Sequence, residues 1–306
     1  MPHSMFCLVL VFFFFLSTSL AQENIFSKNR FKNIIIFGDS YTDTGNVYRL
    51  TRRAWPLSPP YHRGRYCNGP NWVDQLRGSS VKNYAYGSAT TDSNFVQGYT
   101  IGNVPVPGIR QQVQNYMKGW NSRFVSRPDT LHIVWIGGND FIFNHSALPN
   151  LVVPSLMNSI NDLVAKDAKH ILVVDQVPAQ YIPAGLALAP PAELAYLTAM
   201  YNTLLNASLH SIQQQYPQTS IHIFSINALV TKVVTTHSDY FANTTTNCWN
   251  VQNYTIVKNC ENPNNFVFLD NIHFSNHVHT LIADPVQKFL LPSYAVNSAS
   301  CYIRQA

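Results

Sequence analysis

Asn33-Ile34-Ile35-Ile36-Phe37-Gly38-Asp39-Ser40 is the stretch that decides the fold. Large apolar residues ended by a glycine make a short, buried strand. The serine is then delivered at the carboxyl end of that strand, the edge at which open α/β sheets bind ligands. Gly-Asp-Ser is also an ordinary turn and helix-start sequence, so its meaning depends on what the rest of the chain brings to it.

Further apolar runs lie at 81–85, 131–136, His170–Val174 and Ser220–Phe224, and each reads as a strand. Helix-like stretches separate most of them. Residues 154–165 are amphipathic. Pro191–Gln215 is bounded by Pro190-Pro191 and Pro217. Residues 275–291 read as a helix with Ser275 as N-cap and Pro285 kinking or splitting it. Strands alternating with helices predict an α/β fold: a parallel sheet covered on both faces. Residues 51–61, rich in proline, and 94–108, rich in glycine and proline, read as loops near the Ser40 edge.

The amino terminus is set apart from this pattern. Residues 5–20 are almost wholly apolar and lead into Ser19-Leu20-Ala21, a small-x-small cleavage pattern. Residues 1–21 therefore read as a signal peptide, and 22–306 as one secreted domain without a stable membrane anchor. That length suits a single large α/β core. A net charge of +5 is modest, and only Arg49, Arg52, Arg53, Arg63 and Arg65 cluster. A solvated loop explains them, and nucleic acid is not an expected partner.

Once Cys7 leaves with the leader, Cys67, Cys248, Cys260 and Cys301 remain, an even count that suits two disulfides in a secreted chain. Three pairings are possible. Cys248–Cys260, closing a short loop, with Cys67–Cys301 tying down the tail, is the favoured one. Zinc is the competing use, but no pair has C-x-x-C spacing. His277 and His279 near His273 lack a further ligand cluster, so no metal or organic cofactor is expected. Sequons at Asn144, Asn206, Asn243 and Asn253 suit a glycosylated protein.

The chemistry is assembled from three distant places. Ser40 lies at the first strand end. Asp270-Asn271-Ile272-His273 puts an acid and an imidazole three residues apart, and Ile136-Gly137-Gly138-Asn139-Asp140 ends another apolar run. A serine attacks only when a base takes its proton. His273 is the candidate base, and Asp270 the group that orients it. The developing oxyanion needs donors: Ser40 N–H, the Asn139 amide, and a backbone N–H from 83–89. Asp43, Thr44 and Asn46 read as braces of the turn, Trp72 and Trp135 as core, and Asp140 as a local hydrogen-bonding group.

The joint pattern Phe-Gly-Asp-Ser-Tyr-Thr-Asp-Thr-Gly-Asn (37–46), Gly-Arg-Tyr-Cys-Asn-Gly-Pro (64–70), Asn-Tyr-Ala-Tyr-Gly-Ser-Ala-Thr (83–90), Gly-Gly-Asn-Asp (137–140) and Asp-Asn-Ile-His-Phe (270–274) resembles the GDSL lipase/esterase (SGNH hydrolase) superfamily, above all its secreted fungal and plant branch. The resemblance implies a three-layer α/β/α sandwich of flavodoxin type and ester hydrolysis through an acyl-enzyme. It implies Ser40 as nucleophile, His273 as base, Asp270 as its support, and Ser40, the second-block glycine and Asn139 as the oxyanion hole. Two positions depart from the family pattern. Tyr41 stands where leucine is usual. The glycine of the second block falls at Gly87, one residue before the usual site, which Ser88 occupies; the donor is one of these two.

Other serine hydrolases fit less well. There is no G-x-S-x-G elbow, and the chymotrypsin order places its serine last, whereas Ser40 comes first. The expected activity is a monomeric, secreted esterase for short acyl or acetyl esters of the carbohydrate acetylesterase kind. The alternatives are a lipase, phospholipase or acyltransferase on lipid esters, and a catalytically silent glycan-binding protein.

Overall fold

The computed structural model of the chain describes residues 30–236, 240–258 and 260–291. The segment read as a leader and Cys301 lie outside them, and with Cys301 the Cys67–Cys301 pairing.

Five strands form one parallel sheet: β1 (Asn33–Gly38), β2 (Ser80–Asn83), β3 (Thr130–Trp135), β4 (His170–Val174) and β5 (Ser220–Phe224). Their order is β2-β1-β3-β4-β5, the flavodoxin-type order, in which the crevice opens where the chain reverses direction between β1 and β3. Each of the five lies where an apolar run predicted it. β2 ends at Asn83 rather than 85, because the Asn83 side chain turns back to accept the Ala85 N–H at 2.9 Å.

Seven helices position the site or cover the sheet: α1 (Asn46–Leu50), α2 (Ile109–Lys118), α3 (Gly138–Phe143), α4 (Pro149–Ala165), α5 (Pro191–Gln215), α6 (Ile226–Thr236) and α7 (Asn276–Leu290). Ile34, Ile36, Ile133 and Trp135 pack on one side with Val230 and Val233 of α6 and Val278, Ile282 and Val286 of α7. Ile35, Phe37, Val134 and Val173 pack on the other with Val113 of α2, Leu156 and Ile160 of α4, and Leu205 and Leu209 of α5. Successive residues of β1, β3 and β4 thus serve opposite layers, which is why these inner strands are buried along nearly their whole length, while the edge strand β2, Ser-Val-Lys-Asn, is not. The result is the expected α/β/α sandwich.

Two expectations about helices need correction, and a third, Ser275 at the N-cap, holds in position only. α4 begins at Pro149, not 154, and encloses Pro154. The N–H that Pro154 lacks would have bonded the carbonyl of Asn150, an exposed residue that water can satisfy. α7 runs unbroken through Pro285. An interior proline costs ~3 kcal/mol. Ile282, Val286, Phe289 and Leu290, buried on both sides of it, gain ~1.5–3 kcal/mol each, so packing wins. Ser275 sits at the N-cap, but its hydroxyl makes no capping bond.

The loops hold more structure than the sequence pattern indicates. Segment 94–108 contains a small hairpin that pairs Gly98–Thr100 with Val104–Val106. A second hairpin pairs Asn250–Gln252 with Thr255–Lys258, and Asn243–Asn247 runs parallel to Phe266–Phe268. Segment 51–61 is not simply a surface loop, because Trp55 and Tyr61 join Tyr66, Trp249 and Leu269 in a third apolar cluster.

Cys248 and Cys260 form a disulfide, as their spacing suggested. It ties the second hairpin beside the strand that leads to Asp270, where Cys248 N–H and Trp249 N–H donate to the carbonyls of Phe268 and Leu269 at 3.0 and 2.6 Å. Cys248→Ser should lower stability by ~3 kcal/mol, the loop-closure value for a ring of this size. A drop of several degrees in Tm by calorimetry is the expected result, and an unchanged Tm would contradict it.

Candidate active site

Ser40, at the carboxyl end of β1, sits in a turn closed by Asp39. The Asp39 carbonyl accepts Thr42 N–H and Asp43 N–H at 3.0 and 2.8 Å, and its carboxylate accepts Tyr41 N–H at 3.0 Å. The turn aims the hydroxyl across the sheet edge to the loop after Phe266–Phe268. In that loop Asp270 Oδ1 accepts the backbone N–H groups of Ile272 and His273, both at 2.8 Å. This Asx-turn is why two intervening residues put acid and imidazole on one side. His273 Nδ1 lies 2.8 Å from Asp270 Oδ2 and 2.9 Å from Oδ1. His273 Nε2 lies 2.7 Å from Ser40 Oγ. The three side chains form one continuous hydrogen-bonded chain. Ser40 is 8% exposed and His273 9%, so both groups are largely shielded from bulk water.

The electrostatics follow from burial. Burial pushes the Asp270 carboxyl upward, but the facing His273 imidazole and the bonds from His273 and Tyr61 outweigh it, holding the group below its ordinary range. Burial raises Asp39 to about 7 against the opposing pull of Tyr41 N–H and His273. Rings wall the imidazole: Tyr66 lies 4.9 Å from it and Tyr41 5.8 Å, centroid to centroid. Tyr41 stacks on Trp135 and donates its hydroxyl to the Ile272 carbonyl at 2.8 Å. The departure from leucine therefore has a packing role.

The expected oxyanion donors cluster on neighbouring loops. Gly38 and Trp135 are register partners in β1 and β3, so Ser40 and the segment leading to Asn139 leave adjacent strand ends. Gly137 adopts φ +124°, and a Cβ there would strike the Tyr201 ring. Asn139 Nδ2 donates one hydrogen to the Ala89 carbonyl at 2.8 Å, leaving its second amide hydrogen. In the block at 83–90, Gly87 N–H is already used, donating to Asp43 Oδ2 at 2.9 Å. Ser88 instead carries the left-handed backbone, φ +66°, the conformation a glycine adopts without strain. That geometry explains why the family pattern has glycine at this site. Gly87 is small for another reason: a Cβ there would collide with the Tyr66 ring.

Asp43 does more than brace its own turn. Its carboxylate collects the N–H groups of Gly45, Asn46, Val47 and Gly87 at 2.7, 2.6, 3.0 and 2.9 Å, joining the start of α1 to the 83–90 block. Asp140 is hydrogen-bonded, but to a distant partner: Thr91 donates its hydroxyl at 2.6 Å and its N–H at 3.0 Å. Burial raises this carboxyl to about 6. Sequence patterns missed Tyr61, whose hydroxyl donates to Asp270 Oδ2. Only a tyrosine close to the Gly-Arg-Tyr block hinted at it.

The remaining candidates have other partners. His277 lies against Phe241. His279 is buried, with Nδ1 accepting Trp72 N–H at 3.4 Å. Trp72 and Trp135 are core residues. Of the arginines, Arg65 pairs with Asp74 at 2.6 Å. Cys67 is buried, has no disulfide partner among the described residues, and burial pushes its thiol up to about 12. A cavity of about 930 Å³ beside Asp175, Thr198, Asn202 and Ser225 is separate from Ser40 and His273.

A parallel α/β/α sandwich with a hydroxyl–imidazole–carboxylate chain at its carboxyl edge defines a recognisable class. The chain belongs to the GDSL-like lipase/acylhydrolase family, whose model matches residues 34–286. It is similar to the phosphatidylcholine-sterol acyltransferase of Aeromonas hydrophila, 27% identical over 208 residues, 66% of this chain and 60% of that protein. The chain thus spans less than two thirds of that relative. The GDSL esterase/lipase APG of Arabidopsis thaliana is 24% identical over 82% of this chain and 88% of its own length. An acetylesterase of Hypocrea jecorina is 29% identical over 37% of this chain and 36% of its own.

Proposed function

We propose that this chain is a serine esterase that hydrolyses carboxylic esters through an acyl-Ser40 intermediate. The carrying observation is the unbroken sequence of contacts Ser40 Oγ–His273 Nε2 and His273 Nδ1–Asp270, at 2.7 and 2.8 Å. His273 takes the serine proton as Oγ attacks the ester carbonyl. Asp270 holds the imidazole with Nε2 as acceptor and stabilises the imidazolium. The tetrahedral oxyanion takes hydrogen bonds from Ser40 N–H, the free Asn139 amide hydrogen and Ser88 N–H. Ser88 is preferred to Gly87 because Gly87 N–H is committed to Asp43. Collapse expels the alcohol, which leaves with the proton from His273. Water, deprotonated by His273, then releases the acid.

The preferred substrates are short acyl or acetyl esters. The aromatic walls of Tyr41 and Tyr66 close on the imidazole, and acetylesterases are among the relatives. Lipid esters are the second reading. It is favoured by the exposed apolar Ile142 and Phe143 of α3, with Tyr99 against Phe143, and by the acyltransferase relative. A silent glycan-binding role is the third. Secretion as a glycosylated monomer, with residues 1–21 as leader and 22–306 as one domain, belongs to the same proposal. Among the described residues no helix is long and apolar enough to cross a membrane, and Asn206 and Asn253 are exposed sequons.

The test compares p-nitrophenyl acetate with p-nitrophenyl palmitate. The expected kcat/KM is at least tenfold higher on acetate. Faster palmitate cleavage would transfer the reading to lipids, and no cleavage of either would favour the silent form.

A further inference from the structure

Tyr61 is 2% exposed, and its hydroxyl donates to Oδ2 of Asp270, an oxygen that also faces Nδ1 of His273 at 2.8 Å. We propose that Tyr61 is a positioning residue for ester hydrolysis: it clamps the Asp270 carboxylate so that the imidazole stays aimed at Ser40. The inference rests on the esterase reading above.

The clamp works by dividing labour between the two carboxylate oxygens. Oδ1 is anchored by the backbone N–H groups of Ile272 and His273. Oδ2 is shared by Tyr61 and the imidazole. With both oxygens held, the carboxyl plane cannot rotate, and the imidazole inherits that orientation. Burial demands the same arrangement, because a buried carboxylate is costly unless its lone pairs are engaged. Burial, then the neighbouring Asp270 charge, drive the Tyr61 phenol far above its ordinary range, so it remains a neutral donor.

Tyr61 is itself confined. Its ring meets Trp249 at 5.2 Å, Trp55 at 5.8 Å and Tyr66 at 6.2 Å. Trp249 follows Cys248 of the disulfide. The hydroxyl is therefore held by a ring cage assembled from two loops. Other titratable groups face the Asp270–His273 pair: Asp39 and Tyr41 from the serine turn, Tyr66 and Cys67 from the 64–70 block, and His279 from α7. Among the described side chains, only Tyr61 and His273 hydrogen-bond Asp270.

The test is Tyr61→Phe, which removes one oxygen and keeps the ring. A tenfold fall in kcat with KM within twofold is expected. Loss of the hydroxyl raises the proton affinity of the Asp270–His273 pair, so the acidic limb of kcat/KM moves to higher pH. Added to Asp270→Asn, the same change should cost less than twofold, because its target is already gone. Trp249→Leu, which opens the cage without touching Asp270, is the second variant and should shift the limb in the same direction. Wild-type kcat and an unmoved limb in both variants overturn the clamp, as does an equal loss from Tyr61→Phe with and without Asp270. Wild-type protein lacking Ser40-dependent turnover overturns the esterase reading itself, and the clamp with it.

Discussion

Ser40→Ala should leave a folded protein whose kcat on p-nitrophenyl acetate is lower by about 10⁵–10⁶-fold, the scale on which serine hydrolases lose rate without their nucleophile. The chemical reason is that, among the described residues, no other hydroxyl is hydrogen-bonded to Nε2 of His273, where Ser40 Oγ stands at 2.7 Å. The structural cost is small. The turn that holds residue 40 is built from the Asp39 carbonyl and carboxylate, not from the serine side chain. Losing this one buried hydrogen bond removes ~1 kcal/mol of net stability. The measurement pairs steady-state rates with thermal unfolding. Turnover within tenfold of wild type would remove Ser40 from the mechanism, and a collapsed Tm would show that the side chain has a structural task as well. Covalent labelling of Ser40 by a fluorophosphonate adds a direct readout of the nucleophile.

Asp270→Asn is the second large effect, about 10⁴-fold in kcat, as expected when the orienting carboxylate becomes an amide. An asparagine can present its N–H₂ to His273 Nδ1, which selects the tautomer with the proton on Nε2. That nitrogen then donates to Ser40 instead of accepting from it. Stability should fall too, because Asp270 accepts from Ile272, His273 and Tyr61, and an amide nitrogen cannot accept. Leaving a buried donor unpaired costs ~1–3 kcal/mol. The pH dependence has a definite sign. The folded carboxyl lies below its ordinary range, so its contribution is fully present above the unfolded value of ~4 and is lost as pH falls through the folded value. The Tm gap between wild type and variant should therefore narrow in acid. A gap that widens as pH falls would contradict the assigned charge state.

Much of this is legible in the sequence itself. Apolar runs locate β1, β3 and β4, since burial on both faces needs no tertiary detail to recognise. The Asp-x-x-His spacing located acid and base, since an Asx-turn is a local event. Helix interiors were less legible. Pro285 is a strong local breaker, yet α7 passes through it because distant layers reward the continuous apolar face. The Ser275 hydroxyl likewise failed to cap, although the residue stands at the right position.

By itself, the sequence determined the order of strands and helices, the strand-end location of Ser40 and the pairing of Asp270 with His273, because periodicity and short spacings are local signals. Tertiary structure alone decided that Gly87 N–H is spent on Asp43 and that Tyr61 reaches Asp270, 209 residues away in sequence. No propensity records such contacts. They arise when two loops with little regular structure of their own are pressed together over one sheet edge, where buried polar atoms must find whichever partners the packing provides.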